Sequence, residues 1–273
     1  YVDYTFEMAD KVSGENLVKR QKRKYACQSC PMGCGGIIDI TAGRYQGTIG
    51  HKPEYETMAA FGGLIMHDNM DVMIELNEMC NRAGIDTISV GGTIAFAIEC
   101  FENNILDRNA LNGLALGWGA SDAIVKLTEM IINRQGIGDI LADGVRVAAE
   151  KIGKHSEAFA VHAGGQELPM HDSRLDEGYA VAFKCEPTPG RHTIASFQDI
   201  DLRSGKKLFP EVLRMEKAAR GKQGKKIALL AATAIYEELI SCNGLCLLGV
   251  DSMDYPMVAY LNAITGWEMS ADD

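Results

Sequence analysis

A mainly α, multihelical fold is the class this sequence predicts, and three observations predict it. Ala, Leu, Ile and Met are plentiful while aromatic residues are only 7% of the chain, a composition that leans towards helix. From about residue 66 onward, apolar residues recur at helical spacing. Glycines then stand where several of those segments should stop, as helix C-termini favour. With 273 residues and 47% apolar content, the chain can fill the core of one large domain or two ordinary ones. Charged residues at 23% do not match a disordered chain.

The elements follow in order. Residues 1–26 open with a polar helical stretch and a basic run, VKRQKRK, read as a solvated helix face. Residues 27–36 form a tight loop, punctuated by Pro31, Gly33, Gly35 and Gly36. The stretch GIIDITAGRYQGTIG alternates apolar and polar residues around glycines, which predicts a short hairpin or extended arm. DVMIELNEMCNRAGID reads as a helix ending at Gly84. GTIAFAIECFENNIL is apolar almost all round, so a buried helix is expected. SDAIVKLTEMIINRQG starts at Ser121–Asp122, carries Ile124, Leu127 and Ile131 on one stripe, and closes at Gly136. GDILADGVRVAAEKIG repeats the pattern and closes at Gly153. An irregular connector covers 154–174, and GYAVAFKCEPTPGRHT runs from a small apolar segment into a Pro/Gly loop. KKIALLAATAIYEELISCNGLCLLG is a long Ala/Leu-rich helix ending in a glycine turn that carries two cysteines. No internal repeat interrupts this order, and the helical pattern breaks near residues 160–175.

The net charge of −10 argues against wrapping around nucleic acid, where a basic face supplies most of the affinity. No apolar run reaches the roughly 20 residues that cross a bilayer. Neither nucleic acid nor membrane is therefore expected as a partner. The first residue is Tyr1 rather than Met, which suggests a piece of a longer protein.

Three of the eight cysteines, Cys27, Cys30 and Cys34, stand in a C-x2-C-x3-C array. That is not the pair of separated C-x2-C units of a zinc ribbon. Three thiolates from one loop and a fourth from a distant element suit an iron–sulfur cubane. Zinc held by four cysteines is the alternative. On spacing, Cys242 and Cys246 are equal candidates for the fourth ligand, whereas Cys80, Cys100 and Cys185 sit in apolar stretches and are expected to pack as small hydrophobes. Reduced thiols around one metal site predict a cytoplasmic setting.

Two further segments match each other. NRAGID (81–86) and SCNGLC (241–246) both read polar-x-x-Gly-aliphatic-(Asp or Cys), each closing a helix. Together with CQSCPMGCGG, KPEYET, GDILADGVRVAAEKIG, GGQELPMHDSR, EPTPGRHT and NGLCLLG, they make the chain resemble the tungsten- and molybdenum-containing aldehyde ferredoxin oxidoreductase family, from Cys27 to the end. The resemblance implies two packed helical domains, placed here at 1–163 and 164–273. It implies a [4Fe-4S] cluster on Cys27, Cys30 and Cys34 with Cys246 as fourth ligand, beside a tungsten (or molybdenum) bis-pterin. The pterins would be held by Asn81, Gly84 and Asp86 in one turn and by Ser241, Gly244 and Leu245 in the other. The family's first acid is replaced in both turns, by Asn81 and Ser241, which still offer neutral oxygens to a pterin amine.

The resemblance also places a carboxylate and a histidine beside the metal, here Glu56 in PEYET and His192 in PGRHT. Glu54 could exchange roles with Glu56, and His171 is expected to pack the connector. The Arg191 fork suits a pterin phosphate or a substrate carboxylate. The implied activity is oxidation of aldehydes to carboxylic acids, with electrons leaving through the cluster to ferredoxin or another iron–sulfur carrier. EPTPGRHT resembles a second branch, which reduces aromatic acyl-CoA rings. A helical zinc-binding module without enzymatic activity is the reading from another class. The family's N-terminal β-rich domain precedes the region matched here, so it is an expected partner of these helices, and cofactors could be absent without it.

Overall fold

The computed structural model describes residues 6–193, 223–252 and 255–270, so residues 1–5 of the polar opening lie outside it. Eleven α-helices occur among the described residues, against five short strands. The chain divides into two compact units: the residues up to Cys27 with Gly33–Met170, and Gln28–Met32 with His171–Asp273.

The first unit begins with α1 (Gly14–Val18), capped by the Ser13 hydroxyl, which accepts from the Asn16 amide. The basic run that follows is not on a helix. Residues Gln21–Tyr25 form β1, antiparallel to β2 (Gly35–Asp39), which pairs on its other side with β3 (Ile49–His51). The reason is tertiary: Tyr25 lies over Gly35, where even a Cβ would collide with its ring, and the run has no apolar stripe to bury as a helix. The expected hairpin is present as β2–β3.

The core is helical. α2 (Tyr55–Phe61) leads to α3 (Met70–Ala83), which starts on the Asn69 side chain and ends on Gly84 in the left-handed region (φ 69°). The next helix, α4 (Thr87–Glu102), buries Val90, Ile94, Phe96, Ala97, Ile98 and Cys100, as its uniform apolarity predicts. It packs against α2, α3, α5 (Ser121–Ile132) and α7 (Val145–Ile152). Gly91 makes the α2 contact possible, since a Cβ there would lie 2.8 Å from the Cβ of Ala60. Each fully buried aliphatic side chain contributes roughly 1.5–3 kcal/mol, so α4 anchors the unit.

Two boundaries differ from the sequence reading. α5 stops at Ile132, and Gly136 is instead the N-cap of α6 (Ile137–Leu141). The segment GDILADGVRVAAEKIG is not one helix: Gly144 (φ 84°) separates α6 from α7. Buried Glu167 fixes that corner by accepting the Val145 amide at 2.6 Å. Glu167 comes from a two-stranded ribbon, β4 (His162–Ala163) with β5 (Gln166–Glu167), inside the connector. Ser121 does not cap α5; its hydroxyl lies 2.8 Å from Nε2 of fully buried His67.

Gly138 in α6 provides a stability test. A Cβ there would run into the backbone of Met130 and Ile131 in α5. Alanine gains about 1 kcal/mol of helix propensity, but backbone overlap cannot relax by a rotamer change. Gly138→Ala is therefore expected to cost about 2 kcal/mol of stability net, read as a lower urea midpoint. An unchanged midpoint would mean that α5 and α6 can move apart freely.

The second unit contains α8 (Glu177–Cys185), α9 (Gln223–Cys242), α10 (Leu247–Ser252) and α11 (Met257–Thr265). Tyr236 and Ile240 of α9, Val250 of α10 and Met257 of α11 form one apolar cluster, flanked by Leu245 and Leu247. Ala182 and Leu230 form a second. Among the described residues, no single helix is long and apolar enough to cross a membrane.

Candidate functional site

The two matching hexapeptides fold into the same turn, each within its own unit. In the first, the Gly84 amide donates to the Asn81 carbonyl (3.4 Å) and the Ile85 amide reaches back to Cys80 (3.1 Å). In the second, Gly244 donates to Ser241 (3.0 Å) and Leu245 to Ile240 (3.1 Å). Both glycines are left-handed, with φ of 69° and 67°, as this helix ending requires. The sixth residue then starts the next helix: Val90 donates to the Asp86 carbonyl and Val250 to the Cys246 carbonyl. In both turns the first, fourth and sixth residues are exposed and the aliphatic fifth is half-buried. No atom lies within 4 Å of where a Cβ would stand on either glycine, so both turns offer open backbone to a flat ligand.

Their sixth residues differ in chemistry. The Asp86 carboxylate accepts the Ser89 amide at 2.7 Å, so it already satisfies the start of α4 and offers acceptors there, not an anion site. Cys246 brings an exposed thiol to the equivalent place. A hollow of about 320 Å³ opens beside the first turn, with Ile85, Asp86, Ser89 and Arg134 among its lining residues.

The cysteine array follows directly from the sheet. Tyr25 pairs with Gly35, so Cys27 and Cys34 stand just beyond the ends of β1 and β2. The Cys34 carbonyl accepts from Lys52 Nζ at 3.1 Å, and Gly33 adopts φ 58°. Cys30, between them in sequence, belongs to the segment that groups with the second unit. All eight cysteines are free thiols; Cys27, Cys34 and Cys246 are exposed and Cys30 is intermediate. Reduced, accessible sulfur is the donor chemistry that a soft metal or an iron–sulfur cluster selects.

The other cysteines separate cleanly. Cys80 and Cys100 are buried, and loss of solvation pushes both thiols up to about 12. Cys185, expected to pack as a small hydrophobe, is instead exposed at the end of α8, as is Val181 one turn before it, while Ala182 and Phe183 are buried. Alkylation of the native protein near pH 8 should therefore label Cys185 and Cys242 and spare Cys80 and Cys100, because the thiolate is the reactive form. Mass spectrometry checks this, and rapid labelling of Cys100 would contradict the packing of α4.

Glu54 and Glu56 occupy different environments. Glu54 is the exposed N-cap of α2, whereas Glu56 lies in the first turn and is 6% exposed. Glu56 Oε2 accepts the backbone amide of Met170 at 2.9 Å, a contact across 114 residues that no local pattern announces. His192 follows Gly190 (φ 75°) and exposed Arg191. Its ring stacks on His171 at 4.4 Å with an interplanar angle of 14°, and His171 also meets Tyr179 at 5.1 Å. His171 thus positions His192 within the second unit. The signal for that role lay in the sequence only as a second histidine in an otherwise irregular connector.

A loop of free thiols and a repeated, open helix-ending turn are thus carried on a mainly helical fold. The family described as aldehyde ferredoxin oxidoreductase, domains 2 and 3, matches residues 1–273, and the chain belongs to that family. It is similar to the tungsten-containing aldehyde ferredoxin oxidoreductase of Pyrococcus furiosus (30% identity over 99% of this chain and 42% of that protein). It is likewise similar to that of Thermococcus kodakarensis (32% identity over 98% of this chain and 42% of that protein). The chain therefore spans less than half the length of these relatives. Among solved structures it resembles the active-site complex BamBC of benzoyl coenzyme A reductase bound to 1,5-dienoyl-CoA. The TM-score is 0.52 and the identity 26%, covering 67% of this chain and 27% of that one.

Proposed function

We propose that this chain is the helical portion of a tungsten (or molybdenum) pterin and iron–sulfur oxidoreductase that converts aldehydes to carboxylic acids. The observation that carries this reading is the repeated turn, ending once in a carboxylate and once in a thiol. One turn comes from 1–163 and the other from 164–273, the two helical domains of this reading. Asn81, Gly84 and Asp86, and Ser241, Gly244 and Leu245, would hold the two pterins through open backbone and neutral or acidic oxygens. Cys27, Cys30, Cys34 and Cys246 would hold a [4Fe-4S] cluster. When bound, these groups supply the two-electron redox chemistry and its release as single electrons.

The chain's own side chains handle protons and position. RCHO and water give RCOOH, two protons and two electrons. Glu56, fixed through Oε2, takes a proton from the incoming water at its carboxylate. His192, held against His171, relays a proton on its imidazole near neutral pH. Arg191 offers a fork to a phosphate or carboxylate. The electrons pass to ferredoxin or a similar carrier, and the cytoplasm, where thiols stay reduced, suits such a site.

A second reading is favoured by the benzoyl coenzyme A reductase neighbour: reduction of an aromatic acyl-CoA ring on the same scaffold. Anaerobic expression of the full-length protein with tungstate and molybdate, followed by metal and sulfide analysis, tests both. Iron, sulfide and tungsten or molybdenum are expected; zinc alone would leave a structural metal module. Turnover of aldehydes, or of aromatic acyl-CoA esters with a strong reductant, then separates the two reactions.

A further inference from the structure

We infer that the exposed β1 edge of the β1–β2–β3 sheet is a docking surface for an acidic iron–sulfur electron carrier; this rests on the reading that electrons leave through the cysteine loop. Five of the chain's 27 basic residues fall between Lys19 and Lys24, in a chain whose formal charge is −10. Some of that charge is neutralised locally. Arg20 pairs with Asp71, and Lys22 lies 3.0 Å from Asp39. Arg23 and Lys24 are exposed and enter no ion pair among the described residues.

The strand register shows what surrounds them. Arg23 pairs with Ile37, which pairs with His51, and Tyr25 pairs with Gly35. Paired residues of an antiparallel sheet share a face, and alternate residues return to it. Arg23, Tyr25, His51 and Ile49 therefore lie on one face together with Asp39, opposite the side on which Ile38 and Ile40 enter the core, while Lys24, paired with Gly36, leaves the exposed β1 edge on the other side. Tyr25 Oη and His51 Nδ1 are 3.0 Å apart, and the two rings meet edge-on at 5.7 Å. This held aromatic pair and Ile49, 59% exposed, form a small apolar centre beside uncompensated positive charge. The rim ends at the thiols: Cys27 is two residues beyond Tyr25, Cys34 directly precedes Gly35, and Lys52 reaches the Cys34 carbonyl.

Charge selects the partner. An acidic carrier is repelled by most of a chain with this net charge and attracted where Arg23 and Lys24 lack counter-ions, which steers encounter to the edge nearest the cysteines. Transient redox contacts are small, so a short strand and one aromatic pair suffice. Cations on an edge strand also discourage sheet-to-sheet pairing, but that role needs no particular carrier.

The test uses the full-length holoenzyme. Calorimetric titration with an acidic ferredoxin at low salt should show about 10-fold weaker binding for Arg23→Glu/Lys24→Glu, and a flatter salt dependence. The KM for ferredoxin should rise to match, with viologen-linked turnover and metal content unchanged. The neutral pair Arg23→Gln/Lys24→Gln should shift binding the same way by less. Unaltered ferredoxin affinity in both variants overturns the proposal, as does loss of metal or folding in both, which would show the face covered by the rest of the protein. Absence of viologen-linked turnover in the unmutated holoenzyme instead counts against the functional reading, while the titration still decides the docking surface.

Discussion

Cys246→Ala in the full-length holoenzyme should abolish the spectroscopic signal of the cluster, while Cys100→Ala leaves it intact. A cubane takes four thiolates, and the C-x2-C-x3-C loop supplies three. Cys246 sits in the second turn at the place that Asp86 holds in the first, exposed and at the start of α10. Cys100 is fully buried in α4, and lost solvation pushes its thiol up to about 12, so its packing, not a metal, accounts for it. Its removal costs packing, not ligation. Cys242 is the informative control. It is also exposed, at the last residue of α9. If Cys242→Ala erases the signal and Cys246→Ala does not, the equivalence of the two turns has misassigned the ligand.

His192→Asn should lower kcat at least about 10²-fold, the lower end of what a positioned acid–base group contributes, with metal and cluster content retained. Asparagine keeps a planar hydrogen-bonding group next to His171 but cannot exchange a proton near neutral pH. His192 lies half-buried on a glycine turn, and such a site outside a core changes stability by less than about 0.5 kcal/mol when substituted. Arg191→Ala is expected to move a different quantity. Its exposed guanidinium would bind and not transfer protons, so substrate KM or cofactor retention should suffer before kcat does. A fully active His192→Asn with unchanged metal content would remove His192 from the chemistry and leave Glu56 as the proton-transfer group.

Particular elements show how far the sequence could be read. The end of α3 was legible because a left-handed glycine after an amphipathic run is a signal contained within one turn. α4 was legible because a helix apolar on all sides has nowhere to go but the core. The basic run was misread as helix because β1 exists only by pairing with β2, and nothing within Gln21–Tyr25 encodes that partner. The single helix expected over 138–153 is two because Gly144 turns the chain against Glu167, over twenty residues away. Cys185 was misplaced because an apolar neighbourhood in sequence does not say which side of the helix faces the core.

By itself, then, the sequence determined the helical class, the three-cysteine loop and the two matching turns, all of which depend on spacing within one or two turns of backbone. Only the tertiary structure set Glu54 and Glu56 apart, the first exposed and the second buried and accepting a Met170 amide 114 residues away. It alone stacked His192 on His171, made the basic run a strand, and left Cys185 exposed. Backbone propensity and capping act over a few residues, so they are written locally. Burial and long-range hydrogen bonds depend on which distant segments meet, and that is set only when the whole chain has packed.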